Sequence, residues 1–491
     1  MKASQSIARR SVTSVAWNVV ASMTGVVVGL VRSVALAQLL PISVFGVYAW
    51  AGSIVTLSAV VADFGFGGAF IHRSTETEDE EQTAAVHFTL QLIFTSVWAA
   101  TLVSGALVFA RGQTRIVLLL LTATAAGTQL ARTPRLILGR RVVHRRLALV
   151  RFLDTVFSAL VAISLAWRGL TIWALLSTNL VTLLINVVAF YVWRPVWRPR
   201  LTWSPPVIKY FLRFGSRNVL AIALLRALDR VDDLWTGAFL GNDPLSFYSR
   251  AYRFATYPRT ILAVPINMVA GGTYAELTGN RKRLSRAFFR TNAFLLRSGF
   301  LLAGLLALVA PEFIRLGLGA KWLPMLDAFR LMLIYTLFDP IKATVAHLFV
   351  AVGKPGQIVQ ARVVQLIVLV IGLFLLGPLT GITGVALAVD FMLVVGIAIL
   401  LWQARSFVDF SPRRLFAAPA LGLVFGMLLA YRASTLPAIA GSDWRTGLVK
   451  IIVFTGVYGA SLLALEWRQT WEMLLIFRQL FRRSASSQPE G

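Results

Sequence analysis

The run ALAQLLPISVFGVYAWA, Ala35 to Ala51, falls on WTGAFLGNDPLSFYSRA, Trp235 to Ala251, when the chain is set against itself at an offset of 200 residues. Leu40, Tyr48, Ala51 and Thr56 meet Leu240, Tyr248, Ala251 and Thr256 without a gap. In both copies an apolar helix ends, a four-residue turn follows, and the next helix opens on an apolar–small–apolar–Tyr pattern. Identities are few, so the match gains weight from what surrounds it.

The chain has 491 residues, 57% hydrophobic and only 14% charged. Soluble domains carry about 25% charged residues, and disordered chains lack apolar content, so both classes are excluded. A span takes about 20 apolar residues. Fourteen hydrophobic segments are read here, beginning near Val12, Phe45, Ala84, Ile116, Leu147, Leu170, Asn218, Leu245, Ala287, Leu326, Ile358, Ile382, Leu415 and Gly447. They leave short loops and no room for a large soluble domain. With no cysteine, disulfides and thiolate chemistry are absent.

Charge sets the orientation. With the N-terminus in the cytoplasm, the tails and inner loops hold 29 Lys and Arg, the outer loops 7 and the segments 12, out of 48 in total. That is the positive-inside bias, and it accounts for most of the +27 net charge without nucleic acid. Both termini are expected in the cytoplasm. Lys2, Arg9 and Arg10 precede an apolar run ending in Ala35-Leu36-Ala37, which resembles a signal-peptidase site. The run exceeds a signal core and is used by the repeat, so it is expected to be retained.

The repeat begins in segments one and seven, which run the same way across the membrane if six spans make one unit. The expected fold is an all-α polytopic membrane protein of about fourteen helices. Two parallel-repeat six-helix lobes, 1–196 and 210–405, would be joined by a cytoplasmic linker, 197–209, overlapping the proline-rich stretch RPVWRPRLTWSPP from Arg194 to Pro206. Residues 406–491 would add a helix pair and a cytoplasmic tail. TETEDEE, Thr75 to Glu81, reads as a solvated acidic loop.

Ionisable groups inside spans are costly and mark pathways or pairs. In RALDRVDDLW, the residues Arg226, Asp229, Arg230 and Asp233 share one 100° helical stripe, with Asp232 off it. This face lines either a cavity or a self-neutralising ladder between helices. Arg250, Arg253 and Tyr257 share a face of segment eight; Arg250 lies near its outer end, while Arg253 and Arg259 sit deeper and are the better cavity candidates. Arg32 has no acid at helical spacing, and Asp63 precedes the glycines 65 to 68, which suit close helix approach. Asp339, Pro340 and Lys342 put two charges about a possible hinge. Arg362 and Asp390 are isolated and suit either mutual pairing or a lumen. The four histidines have no metal-ligand spacing, and no phosphate loop, nucleophile elbow or zinc-binding helix is present. No catalytic residue, metal or cofactor is assigned; a proton or sodium ion remains open as the coupling ion.

Three stretches carry a family resemblance: Arg32 to Arg73, the run LDRVDDLWTGAFLGNDPLSFYSRAYRFATYPR from Leu228 to Arg259, and GAKWLPMLDAFRLM from Gly319 to Met332. With the span count, they resemble the Wzx-type polysaccharide flippases of the multidrug/oligosaccharidyl-lipid/polysaccharide exporter superfamily. The second stretch looks most like the branch that exports colanic- or teichuronic-acid type polymers. The resemblance implies two lobes alternating between inward-open and outward-open states in a bacterial or archaeal cytoplasmic membrane. The implied cargo is an undecaprenyl-pyrophosphate-linked oligosaccharide for exopolysaccharide, capsule or O-antigen, with a polysaccharide polymerase and export machinery as implied partners.

Family cavities are lined by helices one, two, seven and eight, so the resemblance carries Arg32, Arg226, Arg230, Arg253 and Tyr257 over as substrate-binding. It assigns Asp63, Asp229, Asp233, Asp339 and Lys342 to coupling or gating. Segment seven departs from a purely cationic cavity by carrying as many acids as bases on its stripe. Drug-exporting relatives use acidic cavities, so a multidrug or small-molecule exporter is the alternative.

Overall fold

The computed structural model describes residues 24–73, 80–141, 144–437 and 442–485. Lys2, Arg9, Arg10, the start of segment one, Thr75–Asp79 of the acidic loop and the end of the tail lie outside them. Among the described residues there are only helices and turns. In chain order the helices are α1 (Thr24–Leu39), α2 (Ile42–Asp63), α3 (Phe66–His72), α4 (Glu80–Phe109), α5 (Gly112–Leu130), α6 (Arg132–Arg140), α7 (His144–Trp167) and α8 (Thr171–Val187). They continue with α9 (Pro205–Phe239), α10 (Asn242–Leu277), α11 (Arg281–Glu312), α12 (Leu326–Ala351), α13 (Gly356–Thr380), α14 (Ile382–Ala404), α15 (Pro412–Ser434) and α16 (Asp443–Ala485).

Among the described residues eleven stretches are long and apolar enough to cross a membrane, and α1 is a shorter apolar helix. Segments seven and eight are α9 and α10, of 35 and 36 residues; their charges keep them outside that apolar set. The protein is therefore an all-α polytopic membrane protein, with fourteen as an approximate count. Its surface is apolar, as lipid requires: Phe109, Leu379 and Val192 are exposed. Exposed Trp167, Trp193, Trp402 and Trp444 sit at or beside helix ends, where indoles favour the membrane interface.

Helix ends follow from local chemistry. Pro205 and Pro412 open α9 and α15 from first-turn positions that need no N–H partner. The Asn280 side chain accepts from Arg283 N at 3.1 Å, capping α11. At the other pole, arginines satisfy carbonyls that a helix leaves unbonded. Arg146 donates to Ala189 O, Trp193 O and Arg194 O at 2.5, 2.7 and 2.9 Å, closing the π-turn after α8. Arg281 donates to Ser406 O and Arg405 O at 3.0 and 3.1 Å beyond α14. Arg281 also holds the Asp409 carboxylate in a two-pronged pair, which keeps that carboxyl below the usual carboxylate range. Some of the basic residues between spans thus also cap helices.

Packing divides the chain into two compact units. The first takes the described residues up to Arg250 plus Arg362–Ala388; the second takes Ala251–Ala361 and the residues from Val389 on. In the first, α2 packs on α4, α5 and α9, and α3 packs on α9. Its aromatic core joins Phe66, Phe70, Phe211 and Trp197, so the stretch after α8 is anchored by Trp197. Two features break α2 from α3: Phe64 at φ 40° and Gly65 at φ 76°. Phe64 then lies directly on Gly215 of α9, where any Cβ would collide. The glycines do permit close approach, as Gly67 also lies beneath the Arg132 guanidinium.

In the second unit α11 packs on α12, α15 and α16. Gly426 admits Phe454, and a Cβ there would meet the ring at 2.9 Å. Two charge pairs join α11 to α16. Lys450 Nζ lies 2.7 Å from Glu312 Oε1, and Arg297 pairs with Glu466. Helix α16 breaks at Glu466, whose φ and ψ are −142° and 44°.

Orientation has a direct check, since the chain has no cysteine of its own. With the N-terminus inside, Ser442→Cys is expected to react with an impermeant maleimide from outside, and Arg283→Cys only after permeabilisation. The reverse pattern would invert the topology. Ser285 is unsuitable as the inner probe because it is buried and its Oγ accepts from Asp409 N at 2.8 Å.

Candidate functional site

Three polar clusters lie at membrane depth, two in the first unit and one in the second. In the first unit, α9 carries Asp232 and Asp233, both buried. Asp233 Oδ2 accepts from Ser53 Oγ of α2 at 3.0 Å and from Arg230 at 3.1 Å. Asp232 Oδ2 accepts from the fully buried Tyr248 hydroxyl at 2.5 Å. The i,i+3 pair Arg230–Asp233 was legible in the stripe. Asp232, left off it, is the acid the sequence reading missed; the only signal was Tyr248, which the repeat aligns with Tyr48. Arg226 is exposed on α9. Asp229 lies in the electrostatic field of Arg362, which also donates to Ala221 O at 3.1 Å. Arg362 is thus engaged on α9, while neither carboxylate oxygen of buried Asp390 has a hydrogen-bond partner among the described residues.

The second cluster surrounds Arg32. Its guanidinium donates to Ser158 Oγ of α7 at 3.1 Å and feels Asp154. Asp154 accepts from Thr182 Oγ1 at 2.7 Å, and Arg135 donates to Asn186 Oδ1 at 2.6 Å. Arg32 therefore finds its acid on another helix, as an arginine inside a span should. Asp63 sits apart at the end of α2, paired with Arg132 at 2.6 Å.

The third cluster, in the second unit, sets two cations on one acid. Asp339 of α12 is 2% exposed. Its Oδ2 meets Arg259 Nε at 2.5 Å and its Oδ1 meets Lys342 Nζ at 3.0 Å. The Tyr335 ring lies under both cations, at 5.6 and 5.5 Å from the centroid, and Tyr252 packs edge-on against it at 5.6 Å. One carboxylate thus holds two cations, leaving a net positive charge. Arg259 remains 37% exposed and Lys342 22%. Arg253 and Tyr257 are half-buried on the same helix, with the Tyr257 ring 6.1 Å from Phe254. Asp339 and Lys342 were singled out in sequence, but Arg259 carries more of the cluster than Arg253 does.

Comparisons with known proteins place these clusters in context. A family model described as "Polysaccharide biosynthesis protein" matches residues 35–327. The teichuronic acid biosynthesis protein TuaB of Bacillus subtilis is 22% identical over 328 residues, 65% of this chain and 66%, just under two thirds, of its own length. The lipopolysaccharide biosynthesis protein WzxC of Escherichia coli is 22% identical over 405 residues, 79% of each chain. Among solved structures, the lipid II flippase MurJ in an inward closed conformation matches at TM-score 0.71 and 15% identity, covering 94% of this chain and 99% of its own. An inward-facing multidrug-resistance MATE transporter of the MOP superfamily matches at TM-score 0.61 and 17% identity, covering 80% of this chain and 98% of its own. At such identities the structural likeness establishes the fold.

Proposed function

Because the chain belongs to the polysaccharide biosynthesis protein family, we propose that it turns an undecaprenyl-pyrophosphate-linked oligosaccharide from the inner to the outer leaflet of a cytoplasmic membrane. The observation that carries this reading is the Arg259–Asp339–Lys342 cluster, with two cations on one buried acid over an aromatic ring. Pyrophosphate crossing hydrocarbon needs compensating charge, and a guanidinium fork matches its oxygens. Asp339 holds the two cations in place before the anion arrives, so less ordering is left to be done at binding.

In the working cycle the lobes 1–196 and 210–405 alternate about this cargo, with both termini inside. Arg32, Arg226, Arg230, Arg253 and Tyr257 are proposed to meet the cargo. Asp63, Asp229, Asp233, Asp339 and Lys342 are proposed to exchange partners between states or to take up a proton or sodium ion. Such pairs supply the two discrete arrangements that a switching element requires. A polymerase that consumes the flipped repeat unit is the proposed partner.

One observation favours the alternative, a small-molecule exporter. Asp232 and Asp233 are both buried beside the single cation Arg230, an arrangement that suits a cationic cargo. Vesicles reconstituted with the pure protein separate the two readings. A fluorescent pyrophosphate-linked lipid saccharide is expected to change leaflets at least tenfold faster than in protein-free vesicles, and a lipophilic cationic dye to leak at the background rate. Dye export without lipid turnover would reject the flippase reading.

A further inference from the structure

A cavity of about 320 Å³ lies in the first unit, at the end that the positive-inside expectation places in the cytoplasm. Three pieces build it: the first turn of α4, the C-terminus of α6, and the strap 193–204 between α8 and α9. None of its lining residues lies on α1, α2, α9 or α10, the helices to which the family resemblance assigns the cargo. The strap is fixed to the bundle along its length. Arg146 holds its start through Trp193 O and Arg194 O, Trp197 packs on Phe88 at 5.6 Å, and Thr202 N donates to Thr89 Oγ1 at 3.1 Å. Two ion pairs complete the wall, Arg141 Nη2 with Glu80 Oε2 at 2.7 Å and Arg200 Nη1 with Glu81 Oε1 at 2.6 Å.

Two donors in this frame are unspent. Trp197 lines the cavity and is only 8% exposed, yet its indole N–H has no hydrogen-bond partner among the described residues. A buried donor in that condition is costly and calls for an acceptor. Arg198 also lines the cavity, and among the described residues it has neither an ion pair nor a hydrogen bond. Three arginines against two glutamates leave the lining with one positive charge in excess. An indole N–H and a guanidinium donate and do not accept, so the matching ligand is an acceptor with a single negative charge.

We propose that this cavity is a binding site for a phosphodiester. A diester carries one negative charge, equal to the excess, whereas a phosphate monoester would bring about −1.5 to −2 and meet repulsion from Glu80 and Glu81. Phosphate oxygens accept a guanidinium fork and leave a further oxygen for the indole N–H. The diester has two sources, the headgroup of an anionic phospholipid and a soluble cytoplasmic ester. Exposed Trp193, Leu201 and Trp203 on the same strap have the apolar and amphipathic character of a membrane interface, which favours the lipid.

The test is binding to the purified full-length protein, so its outcome is independent of the cargo reading. Phosphatidylglycerol is titrated in detergent and counted by native mass spectrometry; soluble glycerophosphoglycerol is followed by equilibrium dialysis. One phosphatidylglycerol per chain is expected to bind in a saturable class, more tightly than phosphatidylcholine. Arg198→Gln should weaken it by about tenfold, and Trp197→Phe, which keeps a ring and loses the N–H, by about fivefold. Arg145→Gln removes an exposed charge of α7 outside the cavity and should leave the affinity unchanged. Saturable binding of the soluble diester alone, with the same dependence on Arg198 and Trp197, would keep the site and assign it to a soluble ligand. Binding of neither probe, affinities untouched by Arg198→Gln and Trp197→Phe, or equal losses in all three variants would each overturn the proposal.

Discussion

Lys450→Met is expected to destabilise the protein by about 3–5 kcal/mol, the usual cost of removing one partner from a buried ion pair. Lys450 Nζ contacts Glu312 Oε1 at 2.7 Å and Leu308 O at 3.2 Å, and both side chains are at least nine-tenths buried. Among the described residues Glu312 Oε2 already has no hydrogen-bond partner, so the carboxylate left behind gains no replacement there. The double variant Lys450→Met with Glu312→Leu removes both charges and is expected to recover most of the loss, since a buried pair is often no better than well-packed apolar groups. Thermal unfolding in detergent reads both. A single variant as stable as the parent would show that Glu312 is neutral or solvated in the folded protein, and the α11–α16 clamp would then be an apolar contact alone.

The second large effect is expected at Asp339. Removing Arg259 and Lys342 alone would strand that acid and confound transport with folding, so the informative variant is Arg259→Gln, Lys342→Gln and Asp339→Asn together. It loses the net positive charge while leaving neutral hydrogen-bonding groups. A charge-assisted hydrogen bond contributes about 1.5–3 kcal/mol, so each cation is expected to account for roughly 10- to 100-fold in turnover of the pyrophosphate lipid. The triple variant should fall by at least 100-fold at equal insertion. Arg259→Lys, which keeps the charge and loses the planar fork, should sit between. If the triple variant flips lipid at the parental rate, the anion is handled elsewhere, and the Arg32 and Arg230 clusters become the sites to neutralise next.

Much of the candidate site was legible where partners lie one helical turn apart. Arg230–Asp233 and Asp339–Lys342 are both i,i+3 pairs, and helix geometry puts such residues on one face whatever surrounds them. Legibility ended at the span. Arg32 looked solitary because its companions, Ser158 and Asp154, are on α7. Asp63 and its partner Arg132 are on α2 and α6. Arg362 looked isolated because its contacts are on α9. Lys450, Glu312, Arg297 and Glu466 drew no attention in sequence, since their pairings bridge 138 and 169 residues.

The sequence by itself determined the class, the approximate span count and the 200-residue repeat. Each is a property of composition or of spacing along one chain, and hydrocarbon imposes it on every span separately. The tertiary structure decided which helix each buried charge faces and that Asp232 has a tyrosine for a partner. The reason is physical. A membrane helix must satisfy its own backbone, so its location follows from local sequence. A charge inside it must be satisfied by some other helix, and only packing determines which helix that is.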